Sequence, residues 1–219
     1  MKNVYIYCEG QTEESFINNI LYPYFANIGI WVRPIICATK RTIAKKFKGG
    51  VVDYQKIRKE LQLICGQHRN EIVTTMFDYY AMPSNTPMID CADPDVYLRI
   101  SKIEKAIDRD IGFPNCFFNF SLHEFEGLLF SNPASFELIA GKEIVCEIQK
   151  IKKSAITPEH INNSPETAPS KRLKSLIPDY AKVKDGSILS QDMGIDVIME
   201  NCKHFSAWIK KIISLSSGK

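Results

Sequence analysis

Short apolar runs that alternate with amphipathic stretches are the feature that most constrains the fold of this sequence. Four such runs are rich in β-branched and aromatic residues and lie at positions 4–8, 31–37, 71–77 and 116–121. The stretches between them carry apolar side chains at helical spacing, over residues 16–25, 54–65 and 96–111. Strands that alternate with helices predict an α/β fold with a mostly parallel sheet flanked by helices.

Local signals indicate where helices begin and where they are disturbed. Thr12 is predicted to cap the first helix and Asp95 to cap a later one, because short oxygen-bearing side chains accept hydrogen bonds from the first backbone N–H groups of a helix. Pro23 is expected to kink or shorten the first helix, because proline has no N–H to donate.

The sequence pattern changes after about Pro133. A helix is predicted at residues 143–151, a proline-containing stretch follows it, and an amphipathic helical pattern returns around Trp208. The length of 219 residues suits one domain with a small addition. We therefore predict a sheet domain over residues 1–135 and a helical C-terminal extension over residues 136–219 that packs on it.

Composition limits the setting in which the protein works. The net charge of +3 neither requires nor excludes nucleic acid as a partner. Seven cysteines without a C-x-x-C pair indicate reduced cysteines of a cytoplasmic protein rather than a zinc site or a disulfide framework. The first apolar run leads directly into Glu9, so no signal peptide is predicted. No apolar run approaches the roughly 20 residues that span a bilayer, so we expect no membrane association.

Acidic residues follow three of the predicted strands. Glu9 and Asp78 each end one, and Glu124 and Glu126 come shortly after another. The carboxyl ends of parallel strands share one sheet edge, where open α/β sheets bind ligands, so these side chains are expected to converge. Carboxylates held close together need a counter-charge, and one or two Mg²⁺ or Mn²⁺ ions would supply it and activate water for phosphodiester cleavage. Alternatively, each acid caps a helix or faces solvent.

His123 lies between a predicted strand and Glu124. It is a candidate catalytic residue, as a proton donor, a metal ligand or a group that orients Glu124. The alternative is a half-buried histidine that is hydrogen-bonded to the backbone, because no second histidine or cysteine lies at a metal-binding spacing from it.

Basic residues form two further groups. Ser170, Lys171 and Arg172 follow Ala-Pro at a predicted loop or helix start, with Lys182 downstream, and such residues suit the binding of phosphate or nucleic acid. A solvated basic helix start explains them equally well. The basic run at 40–59 is expected to face solvent, as most charge runs do.

Several segments together resemble a known family. The chain contains, in this order, CEGQTEESFINNILYPYF, TTMFDYYAMP, LHEFEGLLFSNP, PEHINNSPETAPSKRL and YAKVKDG. Members of the bacterial domain-of-unknown-function family 4276 carry E-G-x-T-E, D-Y-Y, H-E-F-E-A-L-L-F and A-P-S-K-R segments in the same order. The resemblance extends from about Asn3 to Trp208, and the H-E-F-E and A-P-S-K-R segments are its most specific parts.

That family is regarded as Toprim-like, similar to the metal-binding domain of topoisomerases, primases and overcoming-lysogenization-defect nucleases. The resemblance implies that Glu9 matches the Toprim glutamate and that Asp78 matches the first acid of the Toprim Asp-x-Asp pair. The second acidic position is Tyr80 in this chain. The missing ligand then comes from Glu124 or Glu126, or the site is catalytically weak.

Two functions are consistent with the sequence, beside the alternative of a globular scaffold with no acidic site. The first is a Mg²⁺-dependent Toprim-type nuclease or phosphodiesterase. The second is a non-catalytic effector subunit that binds nucleic acid or an ATPase through a degenerate Toprim site. Related Toprim-like proteins are often encoded beside an ATPase and are linked to defence against phage, so the resemblance implies an ATPase partner. The sequence leaves formation of a homo-oligomer open.

Overall fold

The structure of the protein is a computed structural model that describes residues 2–37, 53–161 and 167–218. Residues 40–52 of the basic run lie outside the described residues, so its predicted exposure is untested there. The described strands pair in parallel throughout, in the order β2-β1-β3, with β4 and β5 both against the far side of β3. They are β1 Lys2–Cys8, β2 Ile30–Ile36, β3 Ile72–Asp78, β4 Cys116–Phe117 and β5 Phe120–Ser121. The predicted α/β fold is therefore confirmed.

The strand predicted at 116–121 is broken in the middle, and side chains explain the break. The Oγ1 atom of Thr75 donates a hydrogen bond to the carbonyl of Asn119 and accepts one from its N–H, both at 2.8 Å. On the outer side of the same segment, Asp108 accepts from the N–H of Phe118 at 2.6 Å. These side chains take the place of backbone partners, so the prediction of one continuous strand is wrong.

Helices cover both faces of this sheet. The first helical segment is α1 Gln11–Phe16, a π-helical turn Ile17–Leu21 and α2 Tyr22–Ala26. The remaining α-helices of the described residues are α3 Tyr54–Gln67, α4 Val96–Ile111, α5 Glu126–Leu129, α6 Lys142–Lys153, α7 Pro169–Leu176, α8 Lys182–Asn201 and α9 Lys203–Ser217. Short 3₁₀ turns are Tyr79–Ala81, Pro133–Leu138 and Pro158–His160. Within the part of the chain that is described, no helix is long and apolar enough to cross a membrane.

The predicted helix signals have mixed outcomes. Asp95 caps α4 as expected, because its Oδ1 accepts from the N–H groups of Tyr97 and Leu98. The predicted cap at Thr12 is wrong: the N-cap of α1 is Gly10, two residues earlier, and the N–H of Gly10 donates to Glu13 at 2.8 Å. Pro23 lies in the first turn of α2, directly after the π-helical turn, so the segment stays helical through it.

Two hydrophobic cores sit on opposite faces of the sheet. One joins β3 to α3 and α4, and the other joins β1 to α1, α5, α8 and α9. In the second core the ring centroids of Phe16 and Phe205 lie 6.0 Å apart, and Trp208 Nε1 donates to Thr74 Oγ1 at 2.9 Å. The C-terminal helices thus share a core with the first strands, while the predicted division at residues 135 and 136 stays a prediction.

Candidate functional site

The carboxyl ends of β1 and β3 bring several acidic side chains together. The two strands are neighbours, with Cys8 opposite Met76, so Glu9 and Asp78 leave the sheet at the same edge. Asp78 is half-buried, and its pKa is raised well above the ordinary value, first by desolvation of the carboxylate and then by the charges of Glu9, Glu13, Glu126 and Glu124. The structure therefore places the four predicted metal ligands in one electrostatic environment.

Asp78 also makes a structural contact. Its Oδ1 accepts a hydrogen bond of 3.1 Å from the N–H of Phe125, which immediately precedes α5. This bond holds the His-Glu-Phe-Glu segment against the end of β3. Phe125 is buried in the core, and its ring centroid lies 5.1 Å from that of Phe16. This packing fixes α5 against α1. The position of Glu124 and Glu126 is thus set by packing around Phe125.

Glu13 belongs to the same group of acids but was not among the predicted site residues. It is 6% exposed, and burial followed by the charge of Glu9 raises its pKa to about 7. One sequence signal points to it: Glu13 lies four residues after Glu9, in the first turn of the helix that follows the end of β1. A carboxyl group with this pKa exchanges its proton near neutral pH.

Lys182, at the first position of α8, provides positive charge within this acidic cluster. Its Nζ lies 2.9 Å from Oε1 of Glu126, a side chain that is only 1% exposed. Burial tends to lower the pKa of Lys182, but Glu126, then Glu124 and Asp78, raise it overall. Burial raises the pKa of Glu126, and the lysine offsets part of that rise. Lys182, predicted to bind phosphate, is therefore placed among the carboxylates themselves.

The remaining predicted phosphate ligands lie on the first turn of α7, beside Glu124. The backbone N–H of Ser170 donates to Glu124 Oε2 at 2.9 Å, so a carboxylate of the protein already caps this helix. Ser170 itself is buried. The Nε of Arg172 donates to the carbonyl of Thr167 at 2.8 Å, and Lys171 is exposed. Of these residues, Lys171 is the most accessible to a phosphate.

His123 is held beneath Tyr80. The histidine is 2% exposed and has a positive φ of 66°. Its ring stacks on the Tyr80 ring, with the two ring centroids 5.0 Å apart. Burial, followed by the charges of Arg99 and His160, lowers its pKa to about 4, so the imidazole is neutral at pH 7. Its Nδ1 is buried and makes no hydrogen bond within the described residues. Tyr80 is 41% exposed.

The donor chemistry of the cluster suits a hard divalent cation, although its side chains are not arranged around one. The oxygen ligands are all carboxylates, which is the kind of donor that Mg²⁺ prefers. Mutual repulsion contributes to the raised pKa values of Asp78 and Glu13. Among the described residues, no group of three His, Cys, Asp or Glu side chains has the geometry to hold a metal ion. Glu9, Asp78, Glu126 and Glu124 remain the predicted ligands.

Comparison with known proteins assigns the family. The sequence profile of the family described as "Domain of unknown function (DUF4276)" matches residues 8–213. The chain therefore belongs to this family, and the matched span includes every acidic residue of the cluster. Comparison with curated proteins and with solved structures found no match. The relation of the family to Toprim domains stays a prediction.

Proposed function

We propose that this protein is a Mg²⁺-dependent phosphodiester hydrolase of Toprim type that cleaves nucleic acid. The observation that carries the proposal is the crowding of Asp78 by Glu9, Glu13, Glu124 and Glu126 at the carboxyl ends of adjacent parallel strands. Ligands of open α/β sheets bind at this edge. Burying so many acids together is costly for the fold, which is the usual mark of a site kept for its chemistry.

In the proposed reaction, Glu9 and Asp78 would hold Mg²⁺ or Mn²⁺ with help from Glu126 and Glu124. One or two bound ions would polarise the phosphate and lower the pKa of water. The chain contributes the other steps. Glu13, with a pKa of about 7, accepts a proton from water or returns one to the leaving oxygen.

The proposal gives the neighbouring polar residues supporting roles. The exposed Lys171, together with Arg172, would bind the phosphates that flank the cleaved bond. Ser170 would have a structural role, because its backbone N–H binds Glu124 at the start of α7. His123 is neutral at pH 7 and would orient Glu124 or pass a proton from it.

A cleavage assay tests the proposal. Single-stranded DNA, duplex DNA and RNA are incubated with the protein and Mg²⁺, Mn²⁺ or EDTA. We expect metal-dependent cleavage that falls at least about 100-fold in Glu9→Gln and in Asp78→Asn, the range seen when charge stabilisation of the transition state is removed. Glu137→Gln is the matched control, because Glu137 is exposed and lies outside the cluster. Equal cleavage by all four proteins would show a contaminating nuclease and contradict the proposal.

A second candidate function rests on Tyr80. The family resemblance aligns Tyr80 with the second acid of the Toprim pattern, and the exposed Tyr80 ring stacks on His123. The protein would then be a non-catalytic effector subunit that binds nucleic acid or an ATPase. Binding of nucleic acid in gel-shift experiments without cleavage under any metal, while Asp78→Asn binds equally well, would favour this function.

The setting of either function is also part of the proposal. We place the protein in the reducing cytoplasm because all seven of its cysteines are free. An ATPase partner and a role in phage defence follow from the family resemblance. Co-purification with the product of an adjacent ATPase gene tests the partner, and light scattering of the pure protein tests for a homo-oligomer.

A further inference from the structure

Tyr80 carries an aromatic ring at the edge of the acidic cluster. It lies in the 3₁₀ turn Tyr79–Ala81, which begins directly after Asp78 at the end of β3. Two residues of chain span at most about 7 Å, so the Cα atom of Tyr80 lies no further than that from the Cα atom of Asp78. Tyr80 is 41% exposed. An aromatic ring that is open to solvent therefore lies beside the proposed cleavage site.

Neighbouring rings hold the Tyr80 ring in position. His123 lies against one face, with the two ring planes inclined by only 23°. Tyr79 packs beside it, with the ring centroids 5.8 Å apart, and Tyr79 in turn packs edge-on against Phe120 at a centroid distance of 5.7 Å. Because His123 covers one face, the exposed area of the Tyr80 ring lies on its other face and its edge. A ring that is already fixed loses little side-chain freedom when a ligand stacks on it.

His123 is a rigid and uncharged support for this ring. Its φ of 66° lies in the left-handed region, which few residues other than glycine occupy. Such backbone conformations persist where packing enforces them, and they are concentrated at ligand-binding sites. Burial, followed by the charges of Arg99 and His160, lowers the pKa of His123 to about 4, so the imidazole carries no charge at pH 7. The stacked pair of Tyr80 and His123 thus offers a flat, neutral surface.

Arg99, near the start of α4, adds positive charge beside the stacked pair. Its charge contributes to the lowered pKa of His123, and it offsets part of the rise that burial and Tyr79 cause in the pKa of Tyr80. Its Nη1 donates to the carbonyl of Asp93 at 3.3 Å, and its Nε has no acceptor within the described residues. A guanidinium group has five N–H donors, so donors remain for a phosphate.

An exposed ring with one free face favours a nucleic acid whose bases are unpaired. Stacking on an aromatic side chain requires a base with an uncovered face. Inside a duplex both faces of each base are covered by its neighbours, and a base reaches a protein ring only after it is pulled out of the stack. A single strand pays no such cost. The position of Tyr80 beside the acids therefore bears on which substrate the site accepts.

We propose that Tyr80 is a base-stacking site through which this protein selects single-stranded nucleic acid. The base next to the phosphate at the acidic cluster stacks on the free face of Tyr80, and Arg99 binds a flanking phosphate. This inference rests on the proposed function, because it takes from it the phosphate at the acidic cluster. It applies equally to cleavage and to binding without cleavage.

Fluorescence anisotropy of labelled DNA tests the inference on the full chain. The probes are a single strand, the same strand with abasic sites in place of its bases, and a duplex of equal length. Ca²⁺ replaces Mg²⁺ because it also takes oxygen ligands, and gels confirm that the probes stay intact. The single strand should bind at least about tenfold more tightly than either other probe. Equal or tighter binding of the duplex or the abasic strand, or no binding of the single strand, would overturn the inference.

Variants of Tyr80 test the stacking itself. Tyr80→Ala should weaken binding of the single strand by at least about fivefold, the smaller end of base–aromatic stacking, and leave binding of the abasic strand unchanged. Tyr80→Phe keeps the ring and should bind like the wild type. The matched control is Tyr22→Ala: Tyr22 is 39% exposed but lies against Trp31, near the amino end of β2. Equal losses on both strands, or for both alanine variants, would contradict stacking on Tyr80.

Arg99→Gln tests the flanking phosphate contact. It should weaken binding of the intact and abasic strands alike and reduce the slope of log K against log salt by about 0.7, the value for one phosphate of a single strand. Arg109→Gln is the matched control, because Arg109 is exposed on the same helix and lies about 15 Å further along its axis. An unchanged salt slope for Arg99→Gln would contradict the proposed contact.

These binding measurements and the cleavage assay can fail independently. Metal-dependent cleavage together with binding that does not depend on Tyr80 would overturn this inference alone. Single-strand binding that is lost in Tyr80→Ala, without cleavage under any metal, would support this inference and contradict the nuclease. Circular dichroism confirms that each variant is folded.

Discussion

Two buried glutamates show how differently this protein uses carboxylates. Glu159 is 3% exposed and accepts three hydrogen bonds, from Tyr97 Oη and from the N–H groups of His204 and Phe205. Glu13 is 6% exposed, accepts one from Gly10, and is repelled by Glu9. Glu159 joins α4 to the start of α9. Glu13 instead adds negative charge to the acidic cluster around Asp78, which already has an excess of negative charge.

The comparison separates acids that stabilise the fold through hydrogen bonds from acids that destabilise it through mutual repulsion. A buried carboxylate with enough donors stabilises its surroundings. Carboxylates that repel one another reduce stability and are expected where a ligand relieves the repulsion. The following predictions test that separation.

The largest effect is expected from Glu159→Ala. The substitution leaves two N–H groups at the start of α9 without their acceptor and leaves the Tyr97 hydroxyl only Thr157 as a partner, so the free energy of unfolding should fall by about 3 kcal/mol. Urea denaturation at pH 7 measures the change. Glu137→Ala, at an exposed position, should change it by less than about 0.5 kcal/mol. A loss below 1 kcal/mol for Glu159→Ala would break the comparison, because that is the typical net value of a single hydrogen bond.

Glu13→Gln should have the opposite sign and depend on pH. The folded state raises the pKa of Glu13 from 4.5 to about 7. The protonated carboxyl group therefore makes its full contribution to the free energy of unfolding below pH 4.5, and that contribution is lost as the pH rises through 7. Glutamine keeps an acceptor for Gly10 but cannot ionise. The variant should match the wild type near pH 4.5 and exceed it by on the order of 2 kcal/mol at pH 8. A difference in the free energy of unfolding that does not depend on pH would show that charge repulsion does not destabilise the ionised Glu13.

Lys182→Met removes the cation that lies against Glu126. The free energy of unfolding at pH 8 should fall by about 2 kcal/mol, because Glu126 loses its partner while buried. The loss should shrink toward pH 5, since burial raises the pKa of Glu126 and the carboxyl group then protonates. Addition of about 5 mM Mg²⁺ should stabilise the variant more than the wild type, because a bound cation would replace the missing positive charge. Lys184→Met, at an exposed position of the same helix, is the control.

The smallest effect is expected from Trp208→Phe, which leaves the hydrogen bonds of Glu159 and Glu13 in place. It removes the hydrogen bond to Thr74 and leaves a buried hydroxyl, at a cost of about 1–2 kcal/mol. Replacing both partners, as Trp208→Phe with Thr74→Val, should recover part of that loss. Chemical denaturation of the two single variants and the double variant measures the coupling. No recovery would mean that lost ring packing, not the hydrogen bond, sets the cost.

Several elements could be predicted from the sequence because local signals decide them. Strands β1 to β3 are marked by β-branched and aromatic runs, and Asp95 caps α4 through its own side chain. The acids at the ends of these strands follow from topology, because parallel strands must end at one edge. The start of α1 was mispredicted because Glu13, three residues into the helix, reaches back to Gly10 and takes the place of a capping Thr12.

Other features depend on contacts between residues that are distant in sequence. Thr75 breaks the last strand through Asn119, and Lys182 reaches Glu126 across more than fifty residues. A sequence shows which side chains can donate, accept or carry charge, and periodicity shows which face they occupy. Which donor meets which acceptor depends on how the helices pack on the sheet. For this protein the sequence by itself determined the parallel sheet and its acidic edge, whereas only the tertiary structure decided which acids are satisfied and which are crowded.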